Sequence, residues 1–239
     1  MTTMTMRKPH ADRPIEGMMA KWYASNTAEM MKEYVDLARR ISKEIPQGSA
    51  VLEVAPGPGY FCIELAKLGS YAITGMDLSR TFVKMAAEKA KQAGVRVNFT
   101  QGSASNMPFP KNSFDFLLCR AAFKNFADPV GALQEMCRVL RPGGRALLID
   151  LSRDARPEVV SRAVDEMGLT TVNRLLTKMA FRTMLIRSAY TRAEFEQMLA
   201  ETEFAQAEIV EEGMGFEITM RKWRVKPCAG VWPLEPLEP

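Results

Sequence analysis

Histidine is almost missing from this chain: His10 is the only one among 239 residues. A metal centre or catalytic triad that draws on several histidines is therefore excluded by inventory, and no metal is expected. Cysteine is sparse as well. Cys62, Cys119, Cys137 and Cys228 form no CxxC pair and no metal-binding spacing, and they fall mostly in segments that read as buried, which suits reduced thiols in a cytoplasmic protein. No apolar run is long enough to span a bilayer, and the first residues, despite Arg7, Lys8 and Arg13, lack the apolar centre of a signal peptide. Charge of one sign is not concentrated either. The net charge is +4 with acids interleaved among the bases, so a nucleic-acid partner is not expected. A hydrophobic fraction of 47% is ample for the core of one α/β domain with additions.

Against these absences stands Val51-Leu52-Glu53-Val54-Ala55-Pro56-Gly57-Pro58-Gly59-Tyr60, an apolar run ending in a turn with few side chains. Gly57 and Gly59 can take backbone angles closed to other residues and leave no Cβ in the way of a ligand. A second apolar run, Tyr71 to Met76, ends in Asp77, twenty positions after Gly57. That spacing suits a carboxylate at the tip of the neighbouring parallel strand, within reach of a ribose diol. The pair points to a nucleotide-like cofactor.

The middle of the chain alternates strand and helix. Asn26 with Glu29 reads as a helix N-cap pair, followed by Met30, Met31, Tyr34, Leu37, Ala38 and Ile41 at helical spacing until Pro46 and Gly48. Strands are predicted over Val51–Val54, Ala72–Met76, Val95–Phe99, Phe114–Cys119 and Arg145–Leu151. Helices are predicted over about Phe61–Leu68, from Phe82 to Ala90, and from Leu133 to Leu140, with Pro142-Gly143-Gly144 as a helix stop and turn. Such βα units imply a parallel sheet covered on both faces. Beyond Leu151, Pro157 opens a largely helical stretch to about Tyr190, and Thr191-Arg192-Ala193-Glu194 reads as a capping box. Ala207–Val210 and Phe216–Met220 form a hairpin-like ending. The expected organisation is a flexible arm over 1–20, a domain over 21–222 with a helical lid inserted at about 157–190, and an irregular proline-rich tail over 223–239.

These motifs, with Leu78-Ser79, Gln101-Gly102-Ser103-Ala104 leading into Met107-Pro108-Phe109-Pro110, Ser113-Phe114-Asp115 and Leu140-Arg141-Pro142-Gly143-Gly144, form an ordered set over roughly residues 20 to 220. The set resembles the class I S-adenosylmethionine-dependent methyltransferases, nearest to the small-molecule branch that includes quinone C-methyltransferases. The resemblance implies an α/β fold: a doubly wound, mostly parallel seven-stranded sheet with a terminal antiparallel hairpin and a helical lid. It implies S-adenosylmethionine as cofactor and a small methyl acceptor as partner. Carried over, it sets Ala55, Gly57 and Gly59 against the methionine part of the cofactor, with Glu53 supporting the ammonium group. Asp77 holds the ribose hydroxyls, Leu78 and Phe82 lie near the adenine, Ser103 and Ala104 meet its edge, and Cys119 and Arg120 floor the methionine chain. Two positions depart from the family: Ala55 stands where glycine is usual, and Ser103 where a carboxylate is frequent.

Plainer readings stand beside these. Glu53 is also a polar residue at a strand end, Asp77 a helix N-cap, Ser103 a loop serine, Arg120 a surface arginine and Phe82 a core residue. Lys124 and Asn125, just past the fourth strand, sit where acceptors bind in open α/β sheets. An activated sulfonium methyl asks mainly for alignment and exclusion of water, so no dedicated base is assigned; His10 and Tyr23 are the candidates. The segment Val172–Tyr190 carries Leu175, Leu176, Met179, Phe181, Met184, Leu185 and Ile186, an apolar excess that suits a lid over a hydrophobic or aromatic acceptor, helped by Trp22 and Tyr23, or else a homodimer face. Arg174, Lys178 and Arg182 form the opposite stripe, read as solvated. Three alternatives remain. A nicotinamide dehydrogenase wants glycine where Cys62 stands; a methyltransferase acting on RNA or protein would use the same cofactor; a catalytically silent cofactor-binding protein is the non-enzyme reading.

Overall fold

The computed structural model describes residues 13–27, 30–166, 171–181 and 185–224. In chain order the elements are α1 (Gly17–Thr27), α2 (Met31–Glu44), β1 (Ala50–Val54), α3 (Tyr60–Ala66), β2 (Ala72–Asp77), α4 (Arg80–Gln92), β3 (Asn98–Gln101), β4 (Phe114–Arg120), α5 (Pro129–Val139) and β5 (Leu140–Leu151). Then follow α6 (Pro157–Glu166), α7 (Thr171–Ala180), α8 (Ile186–Ser188), α9 (Arg192–Ala200), β6 (Phe204–Glu212) and β7 (Gly215–Lys222). The seven strands lie in the order β3-β2-β1-β4-β5-β7-β6. The first five run parallel, and β7 is antiparallel to both β5 and β6. The order reverses between β1 and β4, which opens a crevice at the carboxyl ends of those strands.

The near-continuous apolar runs of β1, β4 and β5 are explained by burial on both sheet faces. Alternate residues feed different cores. Leu52, Val54, Leu117 and Leu148 pack with Leu133 and Met136 of α5 and Phe195 of α9, while Val51, Phe116, Leu118 and Leu147 pack with Leu37 and Ile41 of α2 and Phe61 and Leu65 of α3.

Several boundaries differ from expectation. Asn26 lies inside α1, and α2 starts behind Met30 without a side-chain cap; Glu29 is outside the described residues. The helix α1 is absent from the periodic pattern because its apolar residues are spread around its circumference. β3 begins only at Asn98, where pairing with Thr74 of β2 starts. Residues 141–144 loop out of β5, since Leu140 pairs with Phe114 and Arg145 with Phe116, and Gly143 takes φ +81 in that bulge. The capping box at Thr191 and Glu194 is present as read.

The helices α6 to α8 lie between two points joined by a bridge of Ser152 with Tyr190, reinforced by Arg153 N–H donating to Tyr190 O at 2.9 Å. Lys178 of α7 pairs with Asp165 of α6 at 2.7 Å and Arg174 with the same carboxylate at 3.6 Å, so these cations join two helices rather than face water alone. Arg182 is outside the described residues, as are His10, Cys228 and most of the tail.

Candidate functional site

The glycine turn leaves β1 with Ala55 at φ +57, Gly57 at +54 and Gly59 at +78. Ala55 therefore occupies the left-handed region in which an L side chain is strained. The two glycines serve different ends. A Cβ on Gly59 would stand 2.8 Å from Phe99 and 2.9 Å from Ala86, so its requirement comes from packing. A Cβ on Gly57 would meet only Tyr23 Cε1, at 3.8 Å, so the main chain there is open to a ligand on the side where Tyr23 lies.

Asp77 ends β2 with its carboxylate turned back on this turn: Gly57 N–H donates to Oδ2 at 3.0 Å and Ser79 N–H to Oδ1 at 2.8 Å. Burial raises its pKa, and the bonds from Ser79 and Gly57 oppose that rise. Asp77 does not cap the next helix. Ser79 does, its Oγ accepting from Phe82 N–H at 3.1 Å.

Glu53 is buried in β1 and accepts from Cys62 N–H at 3.2 Å and from Cys62 Sγ–H at 2.9 Å. Desolvation pushes its carboxyl up to about 7, against the lowering effect of the Cys62 bonds and of Arg120. It is thus more than a polar strand end. Arg120, at the end of β4, pairs with Glu33 and lays its guanidinium 4.4 Å from the centre of the Tyr34 ring, with only 12% of its side chain exposed. It joins α2 to the sheet and is not a surface arginine.

The remaining candidates lie on the neighbouring loops. Gln101 Nε2 donates to Leu78 O at 3.0 Å, and Gly102 N–H to Asp77 O at 3.0 Å, which folds the loop after β3 toward Asp77. Ser103 bridges to Asn106 and shares a 3.2 Å contact with Ser105 Oγ, and Ala104 packs on the core. Cys119 is buried in the sheet core, where burial drives its thiol pKa well up. Phe82 is buried, with its ring edge-on to Tyr23 at 5.7 Å.

Tyr23 closes the arrangement from α1. Its phenol pKa is raised by burial, and the ring lies against Gly57 after β1 and Phe82 after β2. Trp22 is turned the other way and is 62% exposed; it does not cover the site. Reading the sequence missed Asp150. It is the last residue but one of β5 and accepts from Lys124 Nζ and Lys124 N–H, both at 2.9 Å, with side-chain exposures of 1% and 8% for Asp150 and Lys124. Lys124 Nζ also donates to Ala121 O at 2.9 Å. The signal was available: an acid at the tip of an apolar strand is the pattern that singled out Asp77. Lys124, expected to line an acceptor pocket, is instead committed to this buried pair.

A glycine turn, a strand-end acid and a crevice where strand order reverses define a nucleotide-cofactor-binding α/β domain. The finer class follows from comparison with known proteins. Residues 52–148 match a family described as a methyltransferase domain. The chain is 41% identical over 101 residues to the demethylmenaquinone methyltransferase of Deinococcus radiodurans, covering 42% of each. It is 36% identical over 107 residues to the ubiquinone/menaquinone biosynthesis C-methyltransferase of Bdellovibrio bacteriovorus, covering 44% of this chain and 46% of that one. The matched region thus spans less than half the length of these relatives. A crystal structure of a proposed S-adenosyl-L-methionine-dependent methyltransferase from Methanococcus maripaludis superposes with a TM-score of 0.70 at 20% identity, over 90% of this chain and 96% of that one. Residues 52–148 thus resemble a methyltransferase domain, and the chain shares the Rossmann-like fold of the superposed structure.

Proposed function

We propose that this protein moves the methyl group of S-adenosylmethionine to a small, apolar or aromatic acceptor of the quinone type. The observation that carries the reading is the meeting of the open Gly57 backbone with the Asp77 carboxylate under Tyr23. The residues fit such a cofactor. Gly57 leaves its main chain free of any Cβ, Asp77 can accept from a ribose diol in exchange for its bonds to Gly57 and Ser79, and Glu53 offers a carboxylate poised near 7 to an ammonium group. Ala55, Gly59, Leu78, Phe82, Ser103, Ala104, Cys119 and Arg120 complete the proposed cofactor site.

When bound, the cofactor supplies a methyl group already activated as a sulfonium. The chain then orients and excludes water. Tyr23 is a phenol whose pKa burial raises still further above neutrality, so it keeps its proton and is a hydrogen-bond donor over the site rather than a base. The acceptor class rests on the names of the quinone-methylating relatives and on the apolar residues of α7 and α8. Among the described residues Cys62, Cys119 and Cys137 are buried and not joined in disulfides, which supports a reducing, cytoplasmic setting.

Calorimetric titration with S-adenosylmethionine, its demethylated product and NAD tests the cofactor, and a screen of quinones, phenols, amines and thiols with labelled methyl donor tests the acceptor. Binding of both methionine-derived ligands without NAD, and label in a quinone or phenol, is expected. Binding of NAD alone would overturn the reading.

A further inference from the structure

The helix α1 is apolar on two sides. Ala20, Ala24 and Thr27 are buried against the body of the protein, yet Met18 and Met19 are 85% and 63% exposed, as is most of Trp22, and Ile15 is 40% exposed just before the helix. Positions 18, 19 and 22 share one side of α1, so Met18, Met19 and Trp22 form one stripe.

The surroundings of the stripe are cationic. Arg13 and Lys21 are exposed beside it. The helix α4, against which α1 packs, carries Arg80, Lys84, Lys89 and Lys91 with Glu88 as its one acid. Glu16, just before α1, spends its carboxylate on the first turn of α4, accepting from Arg80 N–H at 2.9 Å and Thr81 N–H at 3.0 Å. Lys21 and Lys89 line the groove between the two helices, with Glu88 as the one acid there.

We propose that α1 is an interfacial anchor that lays Met18, Met19 and Trp22 into the headgroup region of an anionic lipid bilayer, with the basic residues of α1 and α4 on the anionic headgroups. An exposed tryptophan and methionines on a short helix ringed by Lys and Arg suit that boundary, where an amphipathic ring finds both apolar and polar surroundings. A second copy of this chain would bring the same cations against each other, which the charge pattern disfavours. The inference rests on the proposed function in one respect: an apolar quinone acceptor partitions into lipid. Tyr23, on the flank of the same helix, lies over Gly57, so a helix lying on the bilayer brings the site to the acceptor's source.

The test uses the full chain with Trp223→Phe and Trp232→Phe, which leaves Trp22 as the sole tryptophan. It is mixed with vesicles of phosphatidylcholine alone, or with about 30% phosphatidylglycerol, at about 0.05 and 0.5 M salt. A blue shift of Trp22 emission and co-sedimentation with the anionic vesicles are expected, weaker by about tenfold or more at high salt. Met18→Glu with Met19→Glu, which keeps the Trp22 reporter, should abolish both while leaving circular dichroism and cofactor affinity unchanged, because both side chains are exposed on α1. No shift with either vesicle would overturn the proposal. So would a concentration-dependent dimer, dissolved by the same two substitutions, in a protein that ignores vesicles. Calorimetry with S-adenosylmethionine keeps the two ideas apart: a wild-type chain that binds vesicles but no cofactor overturns the functional reading and leaves the anchor standing.

Discussion

Asp77 and Glu53 are both buried carboxylates, but their tasks separate. Asp77 fastens Gly57 and Ser79 in the ligand-free chain, and a ribose diol would take over those bonds. Charge-assisted hydrogen bonds are worth about 1.5–3 kcal/mol, so Asp77→Ala is expected to weaken cofactor binding about 10- to 100-fold by calorimetry, with the fold retained. A variant that loses stability with its affinity intact would leave Asp77 with a structural task only. Glu53 keeps its proton when folded up to about 7, whereas the unfolded chain loses it near 4.5. Between those values the folded state binds more protons, so this group's contribution to stability falls as pH rises through the window and stays low above it. The expected outcome is that Glu53→Gln gains up to about 3 kcal/mol over the wild type between pH 5 and pH 8 in chemical denaturation. Wild-type cofactor affinity should rise through pH 7 as the carboxylate forms, and the variant should lack that rise.

The pair of Lys124 and Asp150 belongs to the same scale. Removing one charge from a buried pair leaves the other uncompensated, so Lys124→Met is expected to cost about 3–5 kcal/mol in denaturant unfolding, and Lys124→Met with Asp150→Leu to recover most of it. Failure of the double variant to recover would mean that Asp150 is needed for its bonds to the backbone of Lys124 and Leu151 rather than for the ion pair.

Among the elements, the central strands and the helices packed on them were legible because each carries a period that its neighbours share. Val51 and Leu52 go to opposite faces, and Leu37, Ala38 and Ile41 to one side of α2. The helix α1 was illegible because its apolar residues serve two sides, and β3 was misplaced because an edge strand begins where its one partner begins. The helices α6 to α8 were legible as helical but not in their pairing, since Asp165 of α6 meets Arg174 and Lys178 of α7. With Leu175 and Met179 exposed, this segment is expected to gain hydrogen-exchange protection in α6 and α7 only when an acceptor is added to the cofactor-bound protein. Protection that is complete without ligand and falls on dilution would mark a dimer face instead.

At the scale of the molecule, the sheet order and the cofactor crevice follow from motifs whose spacing is local, while the groups that close the crevice come from distant segments. Tyr23 reaches Gly57 from α1, Glu33 reaches Arg120 from α2, and Asp150 reaches Lys124 from β5. No periodicity connects such residues, so only the folded chain reveals them. The bridge of Ser152 with Tyr190 has the opposite character. It pins the two ends of the α6–α8 segment side by side, and the buried Val160 and Val164 of α6 belong to neither of the two cores that cover the sheet. The segment is in effect an exchangeable cassette: its length and composition can drift, or be replaced wholesale, at the small cost of closing a different loop. Replacing residues 154–189 with a short Gly-Ser linker should leave a protein that folds and binds cofactor but no longer selects its acceptor, measurable as retained calorimetric binding with a broadened substrate screen. A lineage that exchanged this cassette could acquire a new acceptor without relearning how to hold the methyl donor.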